Sequence, residues 1–169
     1  MDALTALMSR RSIRRYTDEP VAEEAIETIL QAAQAAPSAG NQQPWRFVVI
    51  RRRDTLVAVS ETSPFAGMLA EAAFGIVVCG DTAGLRHEVM WQQDCAAAVQ
   101  NALLAAHALG LGAVWLGYYP KMERVEPLKE LLGIPEGVEP MAVLAIGHPA
   151  EEKGPSDRYD ADRVHLERW

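Results

Sequence analysis

The segment from about Glu88 to Leu109 constrains the fold more than any other part of the chain. It is rich in alanine and predicts the longest helix of the protein, with Gly110 and Gly112 marking its end. Apolar residues occupy much of its circumference, whereas a helix on the surface keeps a polar face toward water. We therefore expect this helix to be buried against a sheet or against a second subunit.

Shorter periodic segments flank this helix. Ile26, Ile29, Leu30 and Ala33 follow the 3.6-residue helical period, and Pro37 stops that helix because it has no N–H to donate. Helices are predicted at residues 2–10, 21–36 and 121–132, and strands at 45–50, 74–79, 113–116 and 141–146. Helices interleaved with a few strands indicate a layered α/β or α+β architecture. With 169 residues and no repeat or linker, residues 1–169 are predicted to form one domain.

The charge and the cysteine content limit the classes of function and the compartment. A net charge of −7 disfavours general binding to nucleic acid or to anionic membranes. The run from Arg51 to Arg53, beside Asp54, is predicted to be a solvated turn. No apolar run approaches a membrane span, and the N-terminus lacks the pattern of a signal peptide. Cys79 and Cys95 have no metal or redox spacing and are expected to be reduced and buried, as is typical of a cytoplasmic protein.

Several motifs of catalysis and cofactor binding are absent from the sequence. Gly110 and Gly112 begin a GxGxxG pattern, but its last position is occupied by Trp115, and the glycines follow a helix rather than a strand. The sequence has no GxxxxGK, GxSxG or HExxH motif, and its four histidines are scattered singly. We therefore expect neither a metal site nor covalent catalysis.

A basic cluster follows the first predicted helix. Arg10, Arg11 and Arg14 surround Ser12 in the segment RRSIR, although the protein as a whole is acidic. Guanidinium groups and a hydroxyl in this arrangement can hold a phosphate through charge-assisted hydrogen bonds. The alternative interpretation is a solvated, basic helix end.

The loop from Pro37 to Trp45 has an unusual composition. It combines small residues, prolines and amides in the order PSAGNQQPW, between a predicted helix and a predicted strand. Asparagine and glutamine carry both donors and acceptors, which match the edge of a flavin or its ribityl hydroxyls. The alternative is a simple connection in which the amides cap local backbone groups.

Together these segments resemble the nitroreductase family of FMN enzymes. The RRSIR segment is similar to the N-terminal phosphate motif of that family, and APSAGNQQPW is similar to its PSxxNxQPW loop. Further similarities follow in the same order along nearly the whole chain, at Trp115–Tyr118, Leu131–Gly137, Ala145–Pro149 and Arg163–Trp169.

The resemblance implies a fold and an activity. The fold would be of the α+β class, a three-layer α/β/α sandwich with a mixed central sheet and a C-terminal tail that extends to the partner subunit. The protein would be a homodimer with shared active sites that transfers hydride from NAD(P)H through FMN to a small acceptor, such as a nitroaromatic, a quinone or an activated alkene. Flavin carries this redox chemistry, so no catalytic side chain is required. Two alternatives remain open: an FMN enzyme of the same fold with different chemistry (dehalogenation or flavin fragmentation), and a flavin-binding protein without turnover.

The resemblance also assigns the phosphate end of the cofactor. Arg10, Arg11 and Ser12 would hold the FMN phosphate. Arg158 or Lys153 would close this site from the C-terminal segment, and the sequence does not decide between them.

The ring end of the cofactor involves other segments. Arg14 would reach the ribityl chain or the pyrimidine edge, and the backbone N–H of Leu116 or Gly117 would lie near flavin N5. The partner subunit would contribute a loop whose contacting residues are Pro37, Ser38, Asn41 and Gln43.

The sequence departs from the family pattern in two places. Larger members carry a lysine near flavin N1 or O2, but no lysine occurs here between Arg53 and Lys121, so Arg14 is the candidate for that charge. Larger members also have an inserted helical lid, for which only residues 81–87 are available. We therefore expect the substrate face to be open or covered by the partner.

Overall fold

The computed structural model describes residues 1–154 and 156–169. Its helices are α1 (Ala3–Ser9), α2 (Glu23–Gln34), α3 (Arg53–Glu61), α4 (Trp91–Ala108) and α5 (Met122–Leu132). Its strands are β1 (Trp45–Ile50), β2 (Phe74–Asp81), β3 (Gly112–Gly117) and β4 (Val138–Gly147). Strand β1 has the predicted bounds, and the other predicted elements are confirmed with shifts of a few residues at their ends.

The four strands form one sheet in the order β1-β2-β4-β3, and every ladder in it is antiparallel. The prediction of a mixed sheet is therefore wrong for these strands. The reason is that β2 and β3, which α4 connects, run in the same direction but do not pair, because β4 lies between them. Within residues 1–154 and 156–169, parallel pairing is limited to one isolated bridge between Ser12 and Ala113.

Helices cover both faces of the sheet, so the predicted three-layer α+β arrangement is confirmed. On one face α4 packs against the sheet and α2, in a cluster that includes Ile29, Ala98 and Leu103. On the other face α3 and α5 pack in a cluster that includes Leu56 and Leu128. The predicted burial of the long apolar helix against the sheet is thus confirmed. Among the described residues, no helix has both the length and the apolar content that a membrane crossing requires.

Helix α3 was not predicted from the sequence. The prediction of a solvated turn is wrong for Arg53, which is the first residue of α3. The Arg53 guanidinium donates to the Ala72 carbonyl at 2.9 Å. Leu56 and Val59 are fully buried one helical turn apart and fix this short helix against the sheet. Two buried positions in nine residues give too weak a periodic signal for recognition in the sequence.

Candidate functional site

The arginine-rich segment, residues 10–14, follows α1 and runs beside the first residues of β3. The Ile13 N–H donates to the Ala113 carbonyl at 3.0 Å, and the Tyr16 hydroxyl, which is buried, lies 2.7 Å from the Ile13 carbonyl. At Gly112 an added Cβ would lie 2.6 Å from Ile13 Cγ2, so the close approach of the two segments requires glycine there. These contacts hold the arginine-rich segment in one position relative to the sheet.

Two other guanidinium groups, those of Arg158 and Arg11, affect the pKa of Arg10. Burial, followed by the charges of Arg158 and Arg11, holds the pKa of Arg10 below its usual value. No carboxylate is among the causes of that shift. Like charges gathered without a compensating acid favour binding of an anion, and the role of these arginines at a phosphate stays a prediction.

The side chains of Lys153 and Arg11 are partly buried and donate hydrogen bonds to main-chain carbonyls. The Lys153 ammonium donates to the Ser12 carbonyl at 2.7 Å and lies 3.2 Å from the Glu151 carboxylate, while Arg11 donates to the Gly154 carbonyl. Both side chains join the C-terminal segment to the arginine-rich segment, along a cleft of about 600 Å³. Which of Lys153 and Arg158 closes the phosphate site stays a prediction.

The loop from Pro37 to Trp45, called the Asn41 loop below, is held by a buried carboxylate that was not predicted from the sequence. Asp94, in the first turn of α4, is 5% exposed and accepts from the Ala39 N–H at 2.9 Å and from Gln42 Nε2 at 2.7 Å. Gln42 Oε1 in turn accepts from the His87 N–H at 3.1 Å, and Ser38 Oγ accepts from the Gln43 N–H at 3.0 Å. Asp94 is an acidic residue within the most apolar helix of the chain, and this position was the sequence signal that could have identified it.

This bonding leaves particular side chains of the loop exposed. Asn41 and Gln43 have φ angles of 55° and 48°, a left-handed conformation that is uncommon outside glycine. Both are exposed, and their side chains make no hydrogen bond to any described residue. Backbone strain of this kind clusters at ligand sites, where the surrounding structure maintains it. Pro37 is also exposed, whereas Ser38 is partly buried and bonds within the loop.

The open edge of β3 offers a main-chain donor. The Tyr118 N–H donates to the Met141 carbonyl at 3.0 Å, and N–H groups alternate in direction along a strand. The Leu116 N–H therefore points toward β4, and the Gly117 N–H points away from the sheet. Of the two backbone groups that the sequence reasoning named, only that of Gly117 is oriented toward a ligand at this edge.

A cleft of about 580 Å³ lies at this edge of the sheet. Its lining includes Arg14, Trp115 and Gly117, all exposed, together with Phe65 and Arg124, which the sequence reasoning did not identify. Two guanidinium groups and a free main-chain N–H in one cleft suit a planar ligand that carries negative charge.

The candidate segments fall into two groups at opposite ends of α4. The Asn41 loop bonds to Asp94 at the N-terminal end, whereas Ser9 Oγ, at the end of α1, lies 2.8 Å from Nε2 of His107 at the C-terminal end. At about 1.5 Å per residue, Asp94 and His107 are ~20 Å apart along the helix. One chain therefore does not bring the Asn41 loop to the arginine-rich segment.

Comparison with known proteins gives a consistent result. A family model described as the nitroreductase family matches residues 7–66 and 58–148. A Methanothermobacter thermautotrophicus protein with the provisional name NADH dehydrogenase/NAD(P)H nitroreductase is 48% identical, over 100% of this chain and 88% of its own length. FMN reductase [NAD(P)H] of Bacillus subtilis is 30% identical, over 97% of this chain and 72% of its own.

A solved structure gives the same result for the fold. The protein from Desulfovibrio desulfuricans, crystallised in complex with FMN, superposes with a TM-score of 0.85 at 39% identity. The match covers 100% of this chain and 99% of that one.

Proposed function

The chain belongs to the nitroreductase family, and from this premise we propose that it is an FMN-dependent oxidoreductase that takes hydride from NAD(P)H and reduces a small acceptor. The observation that carries the proposal is the cleft beside β3, where the outward N–H of Gly117 and the Arg14 guanidinium meet. Relatives named FMN reductase and NADPH nitroreductase, and a structural neighbour in complex with FMN, support the cofactor.

The residues present fit FMN at both of its ends. Arg10 and Arg158, with Arg11 and Ser12 beside them, supply the charge that a phosphate requires, and no carboxylate opposes Arg10. The cleft beside β3 has room for a planar ring, and Arg14 supplies positive charge there.

The residues of the chain bind and orient, whereas the bound FMN supplies the transfer of hydride. The Gly117 N–H would donate to N5 of the ring, which fixes the orientation of the cofactor at the strand end. The Arg14 guanidinium would stabilise negative charge at the pyrimidine edge when the ring is reduced. No acidic side chain or histidine lines this cleft among the described residues, so a proton for the acceptor would come from solvent.

The separation along α4 supports an active site built from two copies of the chain. The Asn41 loop of one copy would contact the cofactor held by the arginine-rich segment of the other, since one chain keeps them ~20 Å apart at about 1.5 Å per residue. Leu4, Leu7 and Met8 of α1 are 69%, 51% and 70% exposed, and Trp169 is fully exposed. These apolar surfaces support a homodimer in which the C-terminal tail extends to the second copy. The buried, unpaired thiols support a cytoplasmic location.

Spectroscopy and turnover of the purified protein test the proposed function. We expect a yellow protein that releases FMN on denaturation and that bleaches with NADH or NADPH without oxygen. Nitrofurazone under the same conditions should restore the oxidised spectrum. Bleaching without reoxidation by any acceptor would indicate different chemistry, and failure to bind FMN in titration would refute the proposal.

A mixing experiment tests the shared site. Arg10→Ala and Asn41→Ala should each inactivate the homodimer, whereas a mixed dimer has one site with both substitutions and one intact site. Random reassortment gives half mixed dimers, so about one quarter of the sites should recover activity after joint refolding with FMN. If mixed dimers form in native mass spectrometry but no activity returns, both residues act in the same chain.

A further inference from the structure

Arg124 is held at the cleft beside β3 by two contacts. Its Nη1 donates to the Gly117 carbonyl at 3.3 Å, and its guanidinium carbon lies 4.9 Å from the centroid of the Phe65 ring. Phe65 is 62% exposed, so one face of the pair is available to a further planar group. A guanidinium has five N–H donors in a fixed plane, and the described residues accept from only one of its nitrogens here.

The position of Arg124 in the helix is unfavourable for a cation. It lies in the first turn of α5, where the positive end of the helix dipole disfavours positive charge. No described carboxylate lies within salt-bridge distance of it, although Glu123 precedes it. The stability of the helix therefore does not explain why an arginine occupies this position.

The charge of the cleft points to the ligand. Among the described residues that line it, Arg14 and Arg124 are charged and none is acidic. Trp115, 37% exposed, and Phe65 add aromatic surface. Aromatic faces and guanidinium planes both stack on flat rings, and a guanidinium fork pairs with a carboxylate through two parallel hydrogen bonds.

We propose that Arg124, held on Phe65 and Gly117, selects electron acceptors that carry a carboxylate on a planar ring. Arg14 is assigned to the cofactor, and Arg124 supplies the second, separate positive charge for the acceptor. The proposal rests on the proposed function, because it assumes that the acceptor enters this cleft beside the bound FMN.

Binding of two matched ligands tests the selection without turnover. Benzoate and benzamide have nearly the same shape and differ in charge, and neither is a substrate for reduction of a nitro group. In the FMN-loaded protein, perturbation of the flavin spectrum should give a Kd for benzoate about ten- to hundredfold below that for benzamide, the range expected of one charge-assisted pair. The benzoate affinity should fall as salt is raised, and the benzamide affinity should not.

Three substitutions locate this preference. Arg124→Gln should bring the ratio of the two Kd values close to one. Arg124→Lys keeps the charge but loses the planar fork, so part of the preference should remain. Lys121→Gln is the matched control, since it removes one positive charge next to the start of α5 but does not line the cleft, and it should keep the ratio of the wild type.

The same discrimination should appear in turnover. The ratio of kcat/KM for 4-nitrobenzoate over 4-nitrobenzamide should fall about ten- to hundredfold in Arg124→Gln, the loss expected for one charge-assisted pair. FMN affinity and the flavin midpoint potential of each variant should be measured alongside. A potential that shifts, with both acceptors affected equally, would assign Arg124 to the cofactor and overturn the proposal.

Three further outcomes are decisive. Equal affinity of the wild type for benzoate and benzamide would overturn the proposal while leaving FMN binding and turnover of neutral acceptors intact. If Arg124→Gln does not fold, retention of the full preference by Arg124→Lys together with insensitivity of benzoate binding to salt would overturn it as well. A protein that binds no FMN would refute the proposed function itself.

Discussion

Replacing Asp94 should loosen the Asn41 loop and destabilise the whole chain. The carboxylate accepts from the Ala39 N–H at 2.9 Å and from Gln42 Nε2 at 2.7 Å, and it is 5% exposed. Hydrogen bonds to a charged group contribute about 1.5–3 kcal/mol each, and removing their acceptor leaves buried donors unpaired. The two bonds end on the two oxygens of one carboxylate, so their contributions are not additive. We therefore expect Asp94→Ala to lower the free energy of unfolding by about 2–4 kcal/mol.

Asp94→Asn removes the negative charge but keeps the shape of the side chain, so it measures the contribution of the charge and of the second acceptor. The asparagine oxygen can still accept from the Ala39 N–H, but its amide nitrogen then faces Gln42 Nε2, and two donors oppose each other. Turning the Gln42 amide would relieve this conflict but would break its bond from the His87 N–H, 3.1 Å long. The isosteric change should therefore cost about 1–3 kcal/mol, the penalty of one buried unpaired group.

Urea unfolding measures these changes, with Asp18→Ala as the control because Asp18 is exposed and makes no side-chain hydrogen bond among the described residues. A double-mutant cycle of Asp94→Ala with Gln42→Ala should give a coupling energy of about 0.5–3 kcal/mol. FMN should bind more weakly to Asp94→Ala, since the loop would no longer hold Asn41 in its left-handed conformation. An unfolding midpoint equal to that of the wild type, with the same slope, would show that these bonds do not hold the loop.

Two glycine substitutions and a thiol-labelling experiment test other parts of the structure. Gly112→Ala should destabilise the protein by about 1–3 kcal/mol through overpacking, because an added Cβ would lie 2.6 Å from the Ile13 side chain. Gly117→Ala should leave urea unfolding of the apoprotein unchanged, because an added Cβ there would meet nothing within 4 Å. Equal effects of the two substitutions would contradict the close approach at Gly112. Burial raises the pKa of the Cys79 and Cys95 thiols to about 12, so both stay protonated at pH 8 and should react with a thiol reagent only after unfolding; rapid labelling of the native protein would show that they are accessible.

The sequence predicted elements more accurately than it predicted their pairing. The apolar runs in Trp45–Ile50, β2 and β4 are local signals, and those strands were found where predicted. The direction of pairing depends on which strands become neighbours, and nothing local to β2 or β3 shows that β4 lies between them. Helix α3 was missed for a related reason, since its two buried residues acquire meaning only once the sheet is in place.

The candidate site shows the same limit. Motif likeness predicts Arg10, Ser12 and the Asn41 loop as site residues, because their composition is unusual in consecutive residues. Phe65 and Arg124 are isolated in the sequence and meet Gly117 only through the folding of α5 against the sheet. A residue that joins a site from a distant element leaves no local pattern.

Helix α4 packs in the core of the protein and also sets the spacing of the candidate site residues. Its apolar circumference buries Ala98, Val99 and Leu103 between the sheet and α2, which makes it a rigid spacer. Because Asp94 holds the Asn41 loop at one end and His107 contacts Ser9 at the other, its length keeps the two groups of candidate residues apart. A shortened helix would change that separation and the sheet packing together, so the core packing and the distance between the two groups of candidate residues are set by the same element.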